Sequence, residues 1–330
     1  MTASSDDLRR VVLLDTSVAS TNLGDEIIMQ DVRAELEQPF AGAFVIPIAT
    51  HVALDRIGRA LARSADVVVA GGTNLISSHM WLRPLWPLKL ADAFAGLRVI
   101  LMGVGWYQFQ GTPDPYTRWL LRRVLHPSAL HSVRDGYTAR MLGSIGITNV
   151  VNTGCPTLWR LSPELCAGLP RQKAASVVTT LNTYMPDPDA DRRLIELLRS
   201  RYARIYAWVQ TAEDHVYLRS FGDDIVIIEP SLKAYDDLLA STQSLDYIGN
   251  RLHGGIRALR RGRRAIIVEI DNRAQEMGRD FHLPTVARTD FERLAAMIDS
   301  SLEIAVRPPL GAIARWKRDL KMRLDERDEG

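Results

Sequence analysis

The stretch that decides the fold is Leu245–Ile270, LDYIGNRLHGGIRALRRGRRAIIVEI. It opens on an apolar run, Leu245–Gly249, with the composition of a buried strand, and closes on another, Ala265–Ile270. Between them Leu252, Ile256 and Leu259 fall at i, i+4 and i+7, one face of a helix. The unit reads as strand, tight turn, helix, strand. Arg251 and His253 sit where the turn becomes the helix. There the first backbone N–H groups lack intrahelical partners and the aligned peptide dipoles place partial positive charge, so an arginine and a histidine make a small anion pocket. Gly254 and Gly255 weaken the helix start but let a ligand or another backbone come close. The competing reading is a basic, solvated surface helix, because Arg257, Arg260, Arg261, Arg263 and Arg264 crowd the same segment.

Working outward, the same half carries strands at Ser176–Leu181, Arg204–Trp208 and Asp224–Ile228. Helical faces lie between them at Leu194/Leu197/Leu198 and Tyr235/Leu238/Leu239, and a late helix at Phe291, Leu294, Ala295 and Ile298. Upstream, Leu161–Lys173, with Pro163 and Pro170, reads as a linker. Before it comes a second series of strands, each ending in small or polar residues. Val11–Asp15 leads to Asn22-Leu23-Gly24-Asp25, Asp66–Ala70 to Gly71-Gly72-Thr73-Asn74, and Arg98–Val104 to Gly105-Trp106. Ala129–Val133 leads to Arg134-Asp135 and Asn149–Asn152 to Gly154-Cys155-Pro156-Thr157. A repeated order of strand, glycine turn and helix argues for parallel sheets covered on both faces. Right-handed crossovers then put every strand's carboxyl end on one edge, where ligands of open α/β sheets bind. The fold expected is α/β: two Rossmann-like doubly wound domains facing across a cleft. Their bounds are residues 1–160 and 174–305, with a C-terminal helix in 306–330 that packs back or forms a partner surface. For Asn22, Asp25 and Asp135 helix capping competes with function, and for Gly71 and Gly72 a turn needing positive φ does.

Composition narrows the classes. The 330 residues carry a formal net charge of +2, with no long basic or acidic tail to suggest nucleic acid. Two cysteines are too few for a disulfide scaffold or a cysteine-based metal site, and the histidines lack metal-ligand spacing. No apolar run reaches the roughly 18–20 residues that span a bilayer, and the start MTASSDDLRR has no signal-peptide core and reads as a disordered lead-in. A cytoplasmic protein is expected, with attachment to the inner membrane face and homo-oligomerisation left open. Trp81, Trp86 and Trp106 are either sugar-stacking or core residues.

Several segments in order resemble the polysaccharide pyruvyl transferase family. They are Thr21-Asn22-Leu23-Gly24-Asp25-Glu26, Gly71-Gly72-Thr73-Asn74, Gly103-Val104-Gly105-Trp106 and Ser132-Val133-Arg134-Asp135. Gly154-Cys155-Pro156-Thr157 and Asn250-Arg251-Leu252-His253-Gly254-Gly255-Ile256 complete the series. The resemblance implies a glycosyltransferase-B-like fold and transfer of the pyruvyl unit of phosphoenolpyruvate onto two sugar hydroxyls, giving a cyclic ketal on an exopolysaccharide or glycolipid precursor. It implies donor binding by Arg134, Arg251 and Leu252, with Gly254 beside them, and a C-terminal domain on the donor side. One departure is Thr73, where many members have a third glycine.

Phosphoenolpyruvate has two anionic ends, and a guanidinium grips either with paired charge-assisted hydrogen bonds. Arg134 and Arg251 are expected to hold them, His253 to protonate the donor carbon, and Asp25 or Asp135 to take a hydroxyl proton. Asn22, Gly24, Gly71, Gly72, Thr73, Asn74, Gly103 and Gly105 are the further rim candidates. No metal or cofactor is expected, phosphoenolpyruvate being a co-substrate. The acceptor sugar is open among a lipid-linked repeat unit, a cell-wall sugar and a smaller glycoside. Two other readings compete: a nucleotide-sugar glycosyltransferase of the same architecture, and an inactive binding protein.

Overall fold

In the computed structural model residues 8–326 are described, so all but the end of the expected disordered lead-in lies outside the described residues. The chain divides into two compact units. One comprises residues 1–20, 28–159 and 309–330, the other 21–27 and 160–308.

The first unit is built on strands β1 (Arg10–Asp15), β2 (Phe44–Ala49), β3 (Val67–Gly71), β4 (Asn74–Ile76), β5 (Val99–Met102), β6 (Gly105–Trp106), β7 (His131–Val133) and β8 (Val150–Asn152). Four of these make a parallel sheet in the order β2-β1-β3-β5. The Gly103 N–H donates to Ser132 O (3.0 Å) and the Arg134 N–H to Val104 O (3.0 Å), which carries the layer on to the parallel β7-β8 pair. Every residue of β3 is buried, as its unbroken valines require of a strand covered on both faces. Helices α1 (Leu23–Leu36), α2 (Arg56–Ser64), α3 (Leu90–Phe94), α4 (Pro115–Val124) and α5 (Gly136–Ser144) connect the strands. Asp55, Asp114 and Asp135 each cap a helix by accepting a backbone N–H at 2.7 Å, the first-turn partner such ends lack.

The second unit starts with α6 (Pro163–Ala167), capped by Ser162, inside the segment expected to be a linker. It continues β9 (Ser176–Thr179), α7 (Pro188–Arg201), β10 (Arg204–Ala207), α8 (Ala212–Arg219), β11 (Val226–Ile227), α9 (Leu232–Ala240), β12 (Leu245–Gly249), α10 (Leu252–Arg260), β13 (Ala265–Glu269), α11 (Asn272–Phe281), β14 (Thr285–Ala287) and α12 (Phe291–Asp299). All six strands are parallel, in the order β11-β10-β9-β12-β13-β14. Counted within the unit this is 3-2-1-4-5-6, the Rossmann order, and its topological switch point lies between β9 and β12. Both units are therefore Rossmann-like. The short β4, β6 and β14 were not legible as strands, since two or three residues carry no period. The helix α11 hides its apolar face in Ala274, Met277 and Phe281 among polar residues.

The last helix, α13 (Leu310–Asp325), belongs to the first unit. Trp316, fully buried, meets Trp159 edge-on at 5.8 Å, and Lys317 pairs with Glu35 at 2.5 Å.

After β3 the chain turns through two residues at positive φ, Gly72 at +45° and Thr73 at +62°. A Cβ on Gly72 would come within 2.2 Å of Ile28 Cγ2, so both dihedral and space demand glycine there. Threonine at the next position is an outlier for a β-branched residue, at a cost of roughly 1–2 kcal/mol. Thr73→Gly is expected to stabilise the protein by about 1 kcal/mol, after glycine's own entropy is set against the strain. Urea unfolding reads this as a higher midpoint at unchanged slope; an equal or lower midpoint would show that the Thr73 side chain compensates its backbone.

Candidate functional site

The switch point of the second unit is closed by a ring of hydrogen bonds. The Arg251 N–H donates to Thr180 Oγ1 (3.2 Å), the Thr180 hydroxyl lies 2.6 Å from the Tyr247 hydroxyl, and that hydroxyl donates to Arg251 O (2.7 Å). Burial pushes the Tyr247 phenol up from its usual range and keeps it a proton donor. The Asn250 N–H adds a bond to Thr180 O at 2.9 Å. The strand ends approach so closely that a Cβ on Gly249 would lie 2.5 Å from Thr180 Oγ1 and 2.6 Å from its backbone N. Glycine at 249 is thus what lets β12 turn into α10 beside β9.

From this ring the Arg251 side chain reaches buried Asp214 in the first turn of α8, with which it forms an ion pair. Asp214 is held from the other side by the N–H (3.0 Å) and hydroxyl (3.2 Å) of Thr183. The Arg251 guanidinium lies 5.9 Å from the centre of the Tyr184 ring, and Arg273 lies 5.4 Å from the same ring. The Tyr184 hydroxyl bonds to Asp271 and Arg273, which pair with each other at 2.6 Å. Burial alone would raise the Asp271 carboxyl, but the Arg273 charge and its hydrogen bonds outweigh it and hold the group at about 2. His253 is buried in the first turn of α10, next to Gly254, whose carbonyl accepts from the Tyr235 hydroxyl at 2.9 Å.

The N-terminal Asn22-Leu23-Gly24-Asp25 segment joins this unit. The Leu23 N–H donates to Gln210 O (3.1 Å), and Asn22 Oδ1 accepts from the Gly24 N–H (3.0 Å), the capping role weighed for it. A Cβ on Gly24 would lie 3.0 Å from Gln210 Oε1, and one on Gly254 would lie 3.5 Å from Gln210 Nε2. Gln210 therefore sits between the two glycine-bearing turns. Asp25 is buried in the first turn of α1.

The remaining candidates belong to the first unit, where they serve one another. Arg134 is 1 % exposed. Its guanidinium donates to Asp135 Oδ2 (2.9 Å), Asn74 Oδ1 (2.5 Å) and Trp106 O (3.4 Å). Asp135 also caps α5. Gly105 leaves room for the guanidinium: a Cβ there would lie 2.2 Å from Arg134 Cζ. Gly103, at φ +66°, would clash with Pro156, and Gly71 with Met29. The surroundings of Arg134 are therefore those of a seated, paired cation. A buried cation must be paired, and here Asn74, Asp135 and a carbonyl already pair it.

A correction concerns the competing reading of α10 as a solvated surface helix. The helix is buried from Leu252 through Leu259, and Arg257 makes two 2.6 Å bonds to Asp236. Arg264 is fully buried, bonded to Asp246 (2.8 Å) and to the carbonyls of Met297, Ile298 and Ser300. Of the tryptophans, Trp86 and Trp106 are core residues, while Trp81 is 62 % exposed. Thr180, Tyr184 and Asp214 leave no signal in the sequence because their partners are distant in the chain, while Tyr247, Asp271 and Arg273 have near partners but belong to no motif.

Fold and site together define a two-unit Rossmann-like protein with an Arg-Leu-His turn at the switch point of one sheet. The model of the polysaccharide pyruvyl transferase family matches residues 22–272, and the chain belongs to that family. Among solved structures it is similar to a UDP-N-acetylglucosamine 2-epimerase (13 % identity, 98 % of this chain and 97 % of that one, TM-score 0.49). It is also similar to the wall teichoic acid polymerase TagF (12 %, 98 % and 85 %, 0.40) and to an E. coli heptosyltransferase, WaaC (14 %, 84 % and 92 %, 0.35). At these identities and scores the likenesses carry no inference about substrate. A search of curated protein sequences gives no match. Among the described residues no helix is long and apolar enough to cross a membrane, and no group of three or more His, Cys, Asp or Glu is arranged to hold a metal ion.

Two outcomes are expected. Gly105→Ala forces Arg134 from its seat and should cost roughly 2–3 kcal/mol of stability; an equally stable variant would show that Arg134 can move freely. The folded-state pKa of Asp271 is lowered, so its contribution of roughly 2 kcal/mol is full above the unfolded value near 4 and is lost as pH falls through about 2. Asp271→Asn should flatten the acid limb of the stability curve between about pH 4 and pH 2. An unchanged limb would remove this pair as a source of acid sensitivity.

Proposed function

We propose that the protein transfers the pyruvyl unit of phosphoenolpyruvate to two hydroxyls of a sugar acceptor. The observation that carries the proposal is the family match across residues 22–272, which takes in the Arg-Leu-His turn at the start of α10. That turn lies at the carboxyl edge of a Rossmann-like sheet, at its switch point, where such sheets bind ligands.

The chemistry needs an anion grip and a proton donor. Arg251 holds an anionic end of the donor; its backbone is fixed by the Thr180–Tyr247 ring and its side chain by Asp214. His253, two residues on, delivers a proton to the methylene carbon of phosphoenolpyruvate. The neighbouring carbon becomes electrophilic, a sugar hydroxyl adds to it, and inorganic phosphate leaves. A second hydroxyl then closes the ketal. Two hydroxyl protons are released: one balances the proton taken up by the methylene carbon, the other leaves with phosphate. Asp25, in the segment that joins this unit, is the carboxylate assigned to take up a hydroxyl proton. Arg134 is paired inside the first unit with Asp135 and Asn74, so the anion grip is assigned here to Arg251 alone.

Phosphoenolpyruvate should raise the melting temperature of the protein and UDP- or GDP-sugars should not. The reverse pattern would replace this reading with that of a nucleotide-sugar glycosyltransferase. With a competent acceptor, His253→Gln is expected to lower phosphate release at least 100-fold while donor affinity is kept, in line with loss of a general acid. Undiminished turnover in a folded variant would remove His253 from the acid role. Arg251→Lys should mainly weaken donor affinity, since an ammonium cannot reproduce the paired bonds of a guanidinium.

A further inference from the structure

Three carboxamides follow three neighbouring strands of the second unit, two at one height and the third one residue short of it. The register pairs Ala207 with Thr179 and Tyr247 with Val178. Gln210 and Asn182 each lie three residues beyond the first pair, and Asn250 lies three beyond Tyr247, level with Leu181. Backbone bonds continue that register past the strand ends, from the Trp208 N–H to Thr179 O (3.0 Å) and from the Asn250 N–H to Thr180 O (2.9 Å). Neighbouring strands run about 4.8 Å apart, so the three side chains start from points within about 10 Å along the carboxyl edge, on both sides of the switch point.

All three are at least nine-tenths buried, and each has a side-chain nitrogen with no hydrogen-bond partner: Asn182 Nδ2, Gln210 Nε2 and Asn250 Nδ2. Arg251 Nε, beside them, is likewise unpaired. Buried polar groups without partners destabilise a protein, and four such donors gather at this edge. The orientation of Asn182 is fixed, because its Oδ1 accepts from the Met185 N–H (3.1 Å), which leaves Nδ2 as a donor. The unpaired amide of Gln210 lies by the first turn of α10, 3.5 Å from where a Gly254 Cβ would stand. Against these donors stands one unpaired acceptor in the group, Asn250 Oδ1. A sugar hydroxyl asks for donors and acceptors in similar number. A surplus of N–H donors at a helix start asks for an oxyanion.

We propose that Asn182, Gln210 and Asn250 form a neutral donor set that holds the phosphate of a phosphomonoester beside Arg251. Taking that phosphomonoester to be phosphoenolpyruvate rests on the function proposed above; the oxyanion site itself does not.

The test uses the full chain with Asn182→Leu and Gln210→Met, which remove the amide at similar volume. Inorganic phosphate and phosphoenolpyruvate are titrated by calorimetry, and melting is followed without ligand. Gln210→Met is expected to melt at or above the parent, since an unpaired buried amide is gone. Asn182→Leu also loses the acceptor of the Met185 N–H and should melt lower. Both are expected to bind both anions at least tenfold more weakly. Unchanged affinity in a folded variant overturns the donor set, as does a parent protein that binds no phosphate. Should the apolar variants fail to fold, Asn182→Asp keeps the acceptor for the Met185 N–H and turns the donor into an anionic oxygen. It should lose phosphate binding, and phosphate affinity equal to the parent's overturns the proposal. Tight binding of both anions by the parent without pyruvyl transfer to any acceptor would sink the proposed function and leave the donor set standing. Pyruvyl transfer with anion affinities unaltered in the variants would do the opposite.

Discussion

The closed ring of Thr180, Tyr247 and Arg251 is the constraint on which the carboxyl edge of the second unit depends. It ties the end of β12 to the end of β9 where the sheet order reverses. Two chain segments that diverge on leaving a sheet normally leave a crevice with soft walls. Here each ring member both gives and accepts a hydrogen bond, so none can leave without stranding another in a buried place. The guanidinium of Arg251 is then aimed by Asp214, itself pinned by Thr183. The backbone of Arg251 is thus fixed by neutral hydrogen bonds and its side chain by a buried carboxylate.

The first unit uses the same vocabulary of glycines, an arginine and an aspartate to a different end. Arg134 draws Asn74, Asp135 and the Trp106 carbonyl around itself, and Gly105 exists as the space its guanidinium fills. Three motifs separate in sequence become one buried knot. Losing Asp135 would leave a buried charge uncompensated, and losing Asn74 would leave a buried donor unpaired.

That contrast explains what could be read from the chain and what could not. The α10 module was legible because Leu252, Ile256 and Leu259 set a helical period between two apolar strands, and the unbroken valines of β3 identified a doubly covered strand. The seat of Arg134 was not, because a glycine that admits a ligand and a glycine that admits a guanidinium look alike in one dimension. Arg257 and Arg264 looked like solvated charge because their partners, Asp236 and Asp246, lie 21 and 18 residues away. Thr73 shows the reverse case: departure from a glycine pattern pointed straight to a position held at positive φ. The carboxamides also left a signal, each standing at a fixed offset from the strand before it, but an asparagine after a strand is too common in turns to be singled out.

The division of the chain is not a division of the sequence into two halves. The first unit is made of three stretches and the second of two, so the backbone passes between them four times. A cut near residue 160 would separate neither cleanly. The upstream fragment would lose Trp316 and its helix, which cover Trp159, and the downstream fragment would lose residues 21–27, which bond to Gln210. Ribosomal synthesis meets the same condition: residues 21–27 emerge long before the strands they join, and the first unit waits for the last helix. Folding of each unit is completed only by chain that belongs, in order of synthesis, to the other end.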